Sequence, residues 1–328
     1  MTKGRRFTVR GFFESSQFYP QGNSDADTLN VKVAMASFVD ENGKEKSVFG
    51  DLQKARYDEK QPAGTILKKR VMASGGLRVR LQGIDAPELH YRVKDTFYRQ
   101  PRGAYAARRL NEALRFYSGD AQPCEIVTRV DSPAQAFDIF GRLVGDVFIG
   151  AGMEKQNINL QLLREGLAVP TFYDSMEVDE INVALDAARR GRAAQDSIWK
   201  QYTAEMTLDQ SLVSPHPGSP IDVEKPDLGL VILPKLFRRL STHILAAGGS
   251  LQTFKASLAQ GNENGPEKVR RTAEFLSGQG SPIALADFID STTPDRPLLS
   301  VDPGDLIFLE APGQLWLEVA EGKFEPWN

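Results

Sequence analysis

One short segment combines an arginine and two carboxylates at the end of an alternating, strand-like run. The run 79–83 carries Arg80, and Asp85 and Glu88 follow on a turn that Pro87 stiffens. This set suits phosphodiester chemistry, because the guanidinium can bind a phosphate, one carboxylate can hold a hard metal ion and the other can accept a proton from water. A surface strand that ends in an acidic turn would have the same pattern, so the segment alone leaves both interpretations open.

Four other segments carry residues that could join such a site. Asp25-Ala26-Asp27-Thr28 opens an alternating strand over 29–38, and Asp138-Ile139-Phe140-Gly141-Arg142 is a glycine turn that leads into another strand. Residues 159–168 predict a short helix that Gly166 ends, and 181–200 predict a long amphipathic helix that ends in Ser197-Ile198-Trp199. These segments are the elements that would have to position the site.

In this order the segments resemble the staphylococcal nuclease (thermonuclease) family over about residues 7–202. The family pattern has an Asp-x-Asp-Thr strand opening, an Arg-x-x-x-x-Asp-x-Pro-Glu strand end, a Tyr-Gly-Arg turn, a Gly-Leu-Ala segment and a terminal helix that ends in Ile-Trp or Leu-Trp. The resemblance implies an α+β fold: a five-stranded OB-type β-barrel with three helices. It also implies a metal-dependent endonuclease that cleaves DNA, and RNA as a further substrate, with little sequence preference and leaves 3′-phosphates.

The resemblance also assigns roles to individual residues. It implies that Asp27, Asp85 and the backbone carbonyl of Ala86 bind one divalent cation, with Glu88 as the general base and with Arg80 and Arg142 as cations that flank the phosphate. An all-oxygen site of this kind suits Ca²⁺, with Mg²⁺ or Mn²⁺ as alternatives. Asp25 would substitute for Asp27 if the register were shifted by two residues.

Aromatic residues near two of these segments are candidates for stacking against nucleobases. In the family, tyrosines near the glycine turn and after the Gly-Leu-Ala segment line the nucleotide pocket; here the corresponding residues are Phe140, Phe172 and Tyr173. Stacking needs only a ring face, so phenylalanine can serve, but the hydrogen bond of a phenol to phosphate would be missing. The family also has Thr in place of Ala86, a change that keeps a backbone ligand.

Composition and charge set the wider limits. The chain has 328 residues, 41% of them hydrophobic and 25% charged, a single cysteine and a net charge of −3. These values are ordinary for a soluble globular protein, exclude an internal disulfide and offer no Cys/His metal cluster. No apolar run predicts a membrane span and no signal peptide is evident, so we expect a cytoplasmic protein.

The length predicts more than one domain. We expect a nuclease domain over 1–202 with an insertion over about 41–70, a Pro-rich linker over 203–227 and a smaller C-terminal α+β domain over 228–328. In the last part the sequence predicts a strand over 228–233, helices over 234–247, 251–259 and 266–276, and a terminal hairpin of strands 306–309 and 315–319. Charge is uneven, because residues 1–200 have 30 basic and 26 acidic side chains whereas 201–328 have 10 and 17.

Two alternatives to an ordinary nuclease remain open at this point. The first part of the chain could be a catalytically weak module that only binds nucleic acid or protein. Alternatively, the nuclease could be an effector that residues 228–328 regulate, through a protein partner or from within the same chain. Simultaneous presence of Asp27, Arg80, Asp85, Glu88 and Arg142 favours catalysis, since degenerate modules typically lose such residues.

Overall fold

The structure is a computed structural model that describes residues 4–14, 25–61, 64–73, 75–115, 121–150, 152–214, 229–261, 265–310 and 313–327. Most of the predicted Pro-rich linker, from residue 215 to 227, lies outside this part of the chain. In the described residues no helix is both long enough and apolar enough to cross a membrane.

The strands of the described residues, in chain order, are β1 (Arg5–Glu14), β2 (Thr28–Val39), β3 (Glu45–Ser47), β4 (Ala55–Lys60), β5 (Ile66–Arg70), β6 (Met72–Ala73), β7 (Gly76–Leu81), β8 (Ile84–Asp85), β9 (Tyr91–Val93), β10 (Thr96–Tyr98), β11 (Ala121–Val130), β12 (Leu143–Ile149), β13 (Gln156–Asn157), β14 (Val169–Pro170), β15 (Phe172–Tyr173), β16 (Val213–Ser214), β17 (Lys268–Arg271), β18 (Ile283–Ala284), β19 (Ile289–Asp290), β20 (Leu298–Leu299), β21 (Leu306–Phe308), β22 (Leu315–Ala320) and β23 (Lys323–Pro326).

The α-helices of the same residues are α1 (Phe49–Lys54), α2 (Gly103–Arg115), α3 (Ile158–Arg164), α4 (Val178–Arg192), α5 (Pro234–Ser241), α6 (Leu251–Gln260) and α7 (Thr272–Leu276). Helix α5 continues into a π-helical turn over Thr242–Ala246, and a 3₁₀ turn over Ile198–Lys200 follows α4. The predicted single helix over 181–200 is therefore an α-helix and a separate 3₁₀ turn.

Five strands close into a barrel. Strand β1 pairs antiparallel with β11 and β2, β2 pairs antiparallel with β7, β7 pairs parallel with β12, and β12 returns antiparallel to β11. Apolar side chains alternate along these strands, so that Val9, Leu29, Val79 and Val147 are buried inside. The predicted α+β fold with an OB-type five-stranded barrel is confirmed.

The predicted insertion over 41–70 is folded. Strands β4 and β5 form an antiparallel hairpin, and β4 also pairs with β22, which in turn pairs with β23. This four-stranded sheet, β23-β22-β4-β5, is called the support sheet below. It packs beside the barrel, because Tyr57 and Leu315 of the sheet are part of the same buried cluster as the barrel residues.

The predicted terminal hairpin is wrong. Strand β22 pairs with β4 of the insertion, whereas β21 pairs with β15 and β17. The helix predicted over 266–276 is also wrong in its first half, because residues 268–271 form β17 and only 272–276 are helical. Among the described residues of the predicted strand 228–233, Val231 makes an isolated bridge to Tyr202 and no regular strand forms.

The C-terminal helices share a second buried cluster with the nuclease segment. Leu236, Phe237 and Leu240 of α5 are buried in it together with Val169 and Ile198. Because burial of apolar side chains is stabilising, this shared cluster fixes α5 against the end of the barrel where β8 and β14 pair.

Candidate active site

The barrel brings the ends of β7 and β2 together. Thr28 lies opposite Arg80 in the antiparallel register, and the amide of Leu81 donates to the carbonyl of Asp27 at 2.9 Å. The chain then turns, and the amide of Ala86 donates to the Asp27 carboxylate Oδ2 at 3.0 Å. The aspartate that precedes β2 is therefore held against the turn that carries the other acids.

Arg80 joins the two predicted metal-binding carboxylates. Its Nη1 forms an ion pair with Asp27 Oδ2, and its Nη2 donates to Asp85 Oδ1 at 2.7 Å. Burial opposes charge on Arg80, but the two aspartates outweigh it and raise its pKa above the ordinary value. Both carboxylates converge on one guanidinium, so they lie on the same side of the barrel and within reach of one another.

Glu88 is buried beside these aspartates. The pKa of Glu88 is raised to about 7: burial is the largest cause, Arg238 opposes the rise, and the charges of Asp85 and Asp27 add to it. Its backbone is fixed by Gln100, whose Oε1 accepts from the Glu88 amide at 3.2 Å and whose own amide donates to the Glu88 carbonyl at 2.8 Å. A carboxylate that titrates near neutrality and is rigidly placed has the properties of a general base.

Asp25 is a fourth acid of this group. Its Oδ1 accepts from the amide of Leu89 at 3.1 Å. Burial raises its pKa well above the ordinary value, and the neighbouring charges of Glu88 and Asp27 add to this rise. The raised pKa values of Asp25 and Glu88 have the same origin, because several negative charges share one poorly solvated region.

A second arginine enters the group from the C-terminal part of the chain. Arg238 of α5 donates from Nη2 to Asp85 Oδ2 at 3.1 Å and from Nη1 to Asp85 Oδ1 at 3.3 Å, and its Nη1 also pairs with Glu88 Oε1. Burial disfavours ionised Asp85, but Arg238 and Arg80 outweigh it and hold the pKa of this carboxyl well below its ordinary value. Sequence analysis did not identify Arg238.

Arg142 lies at the edge of this group. Its Nε donates to Asp138 Oδ2 at 2.7 Å, and its Nη1 donates to Thr28 Oγ1 at 3.4 Å. Thr28 Oγ1 in turn donates to Asp27 Oδ1 at 3.1 Å. Arg142 is therefore connected to the aspartates through one hydroxyl, and it lies immediately before β12, which pairs in parallel with the Arg80 strand β7.

The turn that carries Arg142 is built on Asp138 and the support sheet. Asp138 Oδ1 accepts from the amides of Phe140 and Arg142, each at 2.9 Å. Gly141 has φ +67°, and a Cβ there would lie 2.4 Å from the ring of Tyr57. Only glycine combines this backbone conformation with such close contact to the aromatic ring.

The three aromatic candidates lie in different environments. Phe140 is 56% exposed, and its ring is 5.4 Å from the Arg142 guanidinium. Phe172 is fully buried in β15, so its ring face is not accessible for stacking. Tyr173 is half-buried, and Lys235 of α5 covers it, with Nζ 4.7 Å from the ring centre and 3.1 Å from the hydroxyl.

The loop after Glu88 packs against α5 and its continuation. Residues 91–98 form the β9–β10 hairpin, to which β16 adds a third strand. The Tyr91 hydroxyl lies 2.8 Å from Thr242 Oγ1, and its ring packs against that of Phe237. This hairpin thus connects the active-site turn to the C-terminal helices.

The donor chemistry of the site fits a hard divalent cation. Asp25, Asp27, Asp85 and Glu88 supply carboxylate oxygens, and two guanidinium groups, Arg80 and Arg238, pair with them. When all four acids are ionised, these six groups have a net charge of −2, which a divalent cation would neutralise. Within the described residues, however, no three His, Cys, Asp or Glu side chains converge closely enough to form a complete metal cage.

The comparison with protein families identifies this part of the chain. Residues 78–201 match the family described as staphylococcal nuclease homologue, so they form a staphylococcal nuclease-type domain, and the predicted resemblance is confirmed. The match places the segment in a nuclease family. No curated protein matches the chain.

The matched segment contains only part of the candidate site. Arg80, Asp85, Glu88 and Arg142 lie inside it, whereas Asp27 precedes it, immediately before β2, and Arg238 follows it on α5. Strands β1 and β2 complete the barrel from outside the match, because the insertion that contains β4 and β5 separates them from β7. The candidate site is therefore assembled from three separate parts of the chain.

Proposed function

We propose that the protein is a metal-dependent endonuclease that hydrolyses phosphodiester bonds of DNA and RNA with little sequence preference and leaves 3′-phosphates. The observation that carries this proposal is the convergence of Asp27 and Asp85 on Arg80, with the buried Glu88 beside them. The family match for residues 78–201 supports it.

Glu88 is the proposed general base. In its ionised form it accepts a proton from a water molecule whose oxygen attacks phosphorus in line with the departing 5′-oxygen. The bond from phosphorus to the 5′-oxygen breaks, this oxygen takes up a proton from solvent, and the phosphate stays on the 3′-oxygen. A pKa of about 7 leaves a substantial fraction of Glu88 ionised at neutral pH.

The two arginines and a cation bound by the metal ligands would together stabilise negative charge in the transition state. Arg80 on β7 and Arg142, immediately before the neighbouring strand β12, would neutralise charge on the phosphoryl oxygens as the five-coordinate state forms. Asp27, Asp85 and the carbonyl of Ala86 are the proposed ligands of Ca²⁺, or of Mg²⁺ or Mn²⁺ in its place. A bound cation would supply Lewis-acid stabilisation of the same phosphoryl oxygens.

Nucleobases would stack on the exposed ring of Phe140 and on Tyr173. The exposed position of Phe140 beside Arg142 suits a nucleotide whose base rests on the ring while its phosphate meets the guanidinium. Tyr173 would require Lys235 to move from its ring. Phe172 is fully buried in the core and does not enter the proposal as a stacking residue.

A cleavage assay tests this function. Labelled single- and double-stranded DNA and RNA are incubated with the full chain in Ca²⁺, Mg²⁺, Mn²⁺ or chelator, and the product ends are analysed for 3′-phosphate. Glu88→Gln should reduce cleavage about 10²–10⁴-fold, while Glu112→Gln, the same chemical change on the exposed surface of α2, should leave it unchanged. Cleavage by Glu88→Gln at the wild-type rate would exclude Glu88 as the base.

The second candidate function is a module that binds nucleic acid without cleaving it. The specific observation in its favour is that Arg238 occupies oxygens of both Asp85 and Glu88. Binding of oligonucleotides without cleavage under every metal condition would select this alternative.

A further inference from the structure

Arg238 engages the two acids most important for the proposed chemistry. Its guanidinium contacts three carboxylate oxygens, both oxygens of Asp85 and one of Glu88. Asp85 Oδ1 also accepts from Arg80. A hard cation binds through the lone pairs of carboxylate oxygens, and a general base needs a free lone pair for the proton that it accepts. In this arrangement these carboxylate oxygens accept hydrogen bonds from guanidinium N–H groups instead.

The backbone that carries Arg238 is fixed. Leu236, Phe237 and Leu240 of α5 are almost fully buried in the second cluster, and Gln100 links the start of the helix to the active-site turn by donating to the Ile232 carbonyl at 2.8 Å. Displacing the whole helix would expose these apolar side chains to water. Arg238 itself stays accessible, since its side chain is 26% exposed.

Long, partly exposed arginine side chains change rotamer far more readily than packed helices move. Arg238 can therefore leave the carboxylates by rotation of its own side chain toward solvent, while α5 remains in place. Arg80 would then remain as the guanidinium paired with the aspartates, and these five groups, Arg80 and the four acids when all four are ionised, would have a net charge of −3.

We infer that Arg238 is a built-in competitor of the divalent cation, so that its pairing with Asp85 and Glu88 and the binding of a metal ion exclude each other. This inference rests on the proposed function and names the residue through which the C-terminal part controls the site. With Arg238 paired, one more carboxylate charge is compensated and the general base is engaged. With a cation bound, Arg238 is released and Glu88 regains a free oxygen.

Calorimetric titration of the full chain with CaCl₂ tests the competition directly. Arg238→Gln removes the competing charge, and we expect it to bind Ca²⁺ at least tenfold more tightly than the wild type, which corresponds to about 1.4 kcal/mol. The matched control is Arg239→Gln, because Arg239 is the next residue of α5 and pairs with Glu267 away from the acids. This control should bind Ca²⁺ as the wild type does.

Thermal unfolding in chelator and in excess Ca²⁺ provides a second readout. Without metal, Arg238→Gln should unfold at a lower temperature than the wild type, because Asp85 and Glu88 lose their partner. Excess Ca²⁺ should raise its unfolding temperature more than that of the wild type. If Arg238→Gln does not fold without metal, Arg238→Lys replaces it, because lysine keeps the charge but not the fork. This variant should show the same changes in unfolding temperature, but smaller ones.

Three results would overturn the inference. Equal or weaker Ca²⁺ binding by Arg238→Gln would mean that Arg238 does not compete with the cation, and would leave the proposed nuclease function standing on the cleavage assay. Tighter binding by Arg239→Gln as well would assign the effect to the helix as a whole. No Ca²⁺ binding by any of the proteins would remove both the competition and the metal requirement of the proposed function.

Discussion

Replacing Arg80 by lysine tests whether the fork of its guanidinium holds the site together. Arg80 uses Nη1 for Asp27 and Nη2 for Asp85, and Nη2 also donates to the Ile84 carbonyl at 3.2 Å. A lysine keeps the charge but has one nitrogen, so it cannot bridge both carboxylates as the two ends of a guanidinium do. One of the two buried aspartates would lose its ion pair with residue 80.

The structure allows the size of this effect to be bounded. A hydrogen bond to a charged group contributes about 1.5–3 kcal/mol, so Arg80→Lys should lower the free energy of unfolding by about this amount. Arg80→Ala removes both pairs and should cost about 3–5 kcal/mol, because it leaves uncompensated buried charge. Loss of one preorganised donor also predicts a fall in cleavage rate of about 10²–10³-fold for either variant.

Urea unfolding in chelator and single-turnover cleavage measure the two effects separately. Arg78→Lys is the matched control, because Arg78 lies two residues earlier on the same strand and face and is exposed. Its Nη2 donates to the Phe140 carbonyl at 2.7 Å and to the Tyr57 hydroxyl at 3.4 Å, and both bonds come from one nitrogen, so they do not require the fork of a guanidinium. An Arg80→Lys protein that loses less than about 0.5 kcal/mol and keeps more than half of its activity would refute the bridging role.

Three further changes probe the parts around the acids. Burial raises the pKa of Asp146 to about 6 in the folded protein from an ordinary 3.8. Asp146→Asn should therefore increase the free energy of unfolding by about 1–3 kcal/mol above pH 6, where the buried carboxylate is ionised, and have no such effect below pH 4. Urea unfolding at pH 8 and pH 3.5 measures the difference, and equal effects at both pH values would contradict this. Gly141→Ala should destabilise the protein by more than about 1–2 kcal/mol, because its Cβ would meet the Tyr57 ring. Gly43 is also at positive φ but has nothing within 4 Å of the position that a Cβ would occupy, so Gly43→Ala should show only the cost of the left-handed backbone conformation in the same unfolding assay. Phe140→Ala should weaken binding of single-stranded oligonucleotides by about 1–3 kcal/mol without changing the unfolding temperature, and an unchanged Kd by fluorescence anisotropy would exclude stacking on this exposed ring.

The sequence predicted the part of the site that short-range geometry determines. Arg80, Asp85 and Glu88 lie within nine residues of one another, so a strand followed by a turn is enough to place them together. Asp27 needed one more step, the pairing of β2 with β7, which the family resemblance alone implied. The barrel was predicted from the family resemblance, and the alternating strands were only compatible with it.

Long-range pairings were not predictable in this way. Strand β22 has the alternation of a hairpin partner, yet it joins the insertion, where Trp316 donates to Asp58, 258 residues away in the chain. Phe172 was assigned to stacking from its place after the Gly-Leu-Ala segment, and only the parallel pairing of β15 with β21 shows that it is core. Local patterns specify that a strand forms but not which edge it will join.

Arg238 shows the same limit at the functional site. The sequence predicts an amphipathic helix over 234–247, and Arg238 and Arg239 are adjacent cations on it in a half of the chain where acids outnumber bases, 17 to 10. Nothing local distinguishes the two. Their difference arises because α5 packs at the β8 end of the barrel, which directs Arg238 to Asp85 and Arg239 to Glu267.

This packing bears on how the chain can be divided. Val169 and Ile198 of the nuclease segment are buried against Leu236, Phe237 and Leu240 of α5, so a fragment that ends near residue 202 would expose an apolar surface as well as lose Arg238. Lower activity of such a fragment would therefore not show that the C-terminal part activates the enzyme, since loss of stability would give the same result. A single substitution at Arg238 separates the two effects, because it changes the charge beside Asp85 and Glu88 and leaves the buried cluster intact.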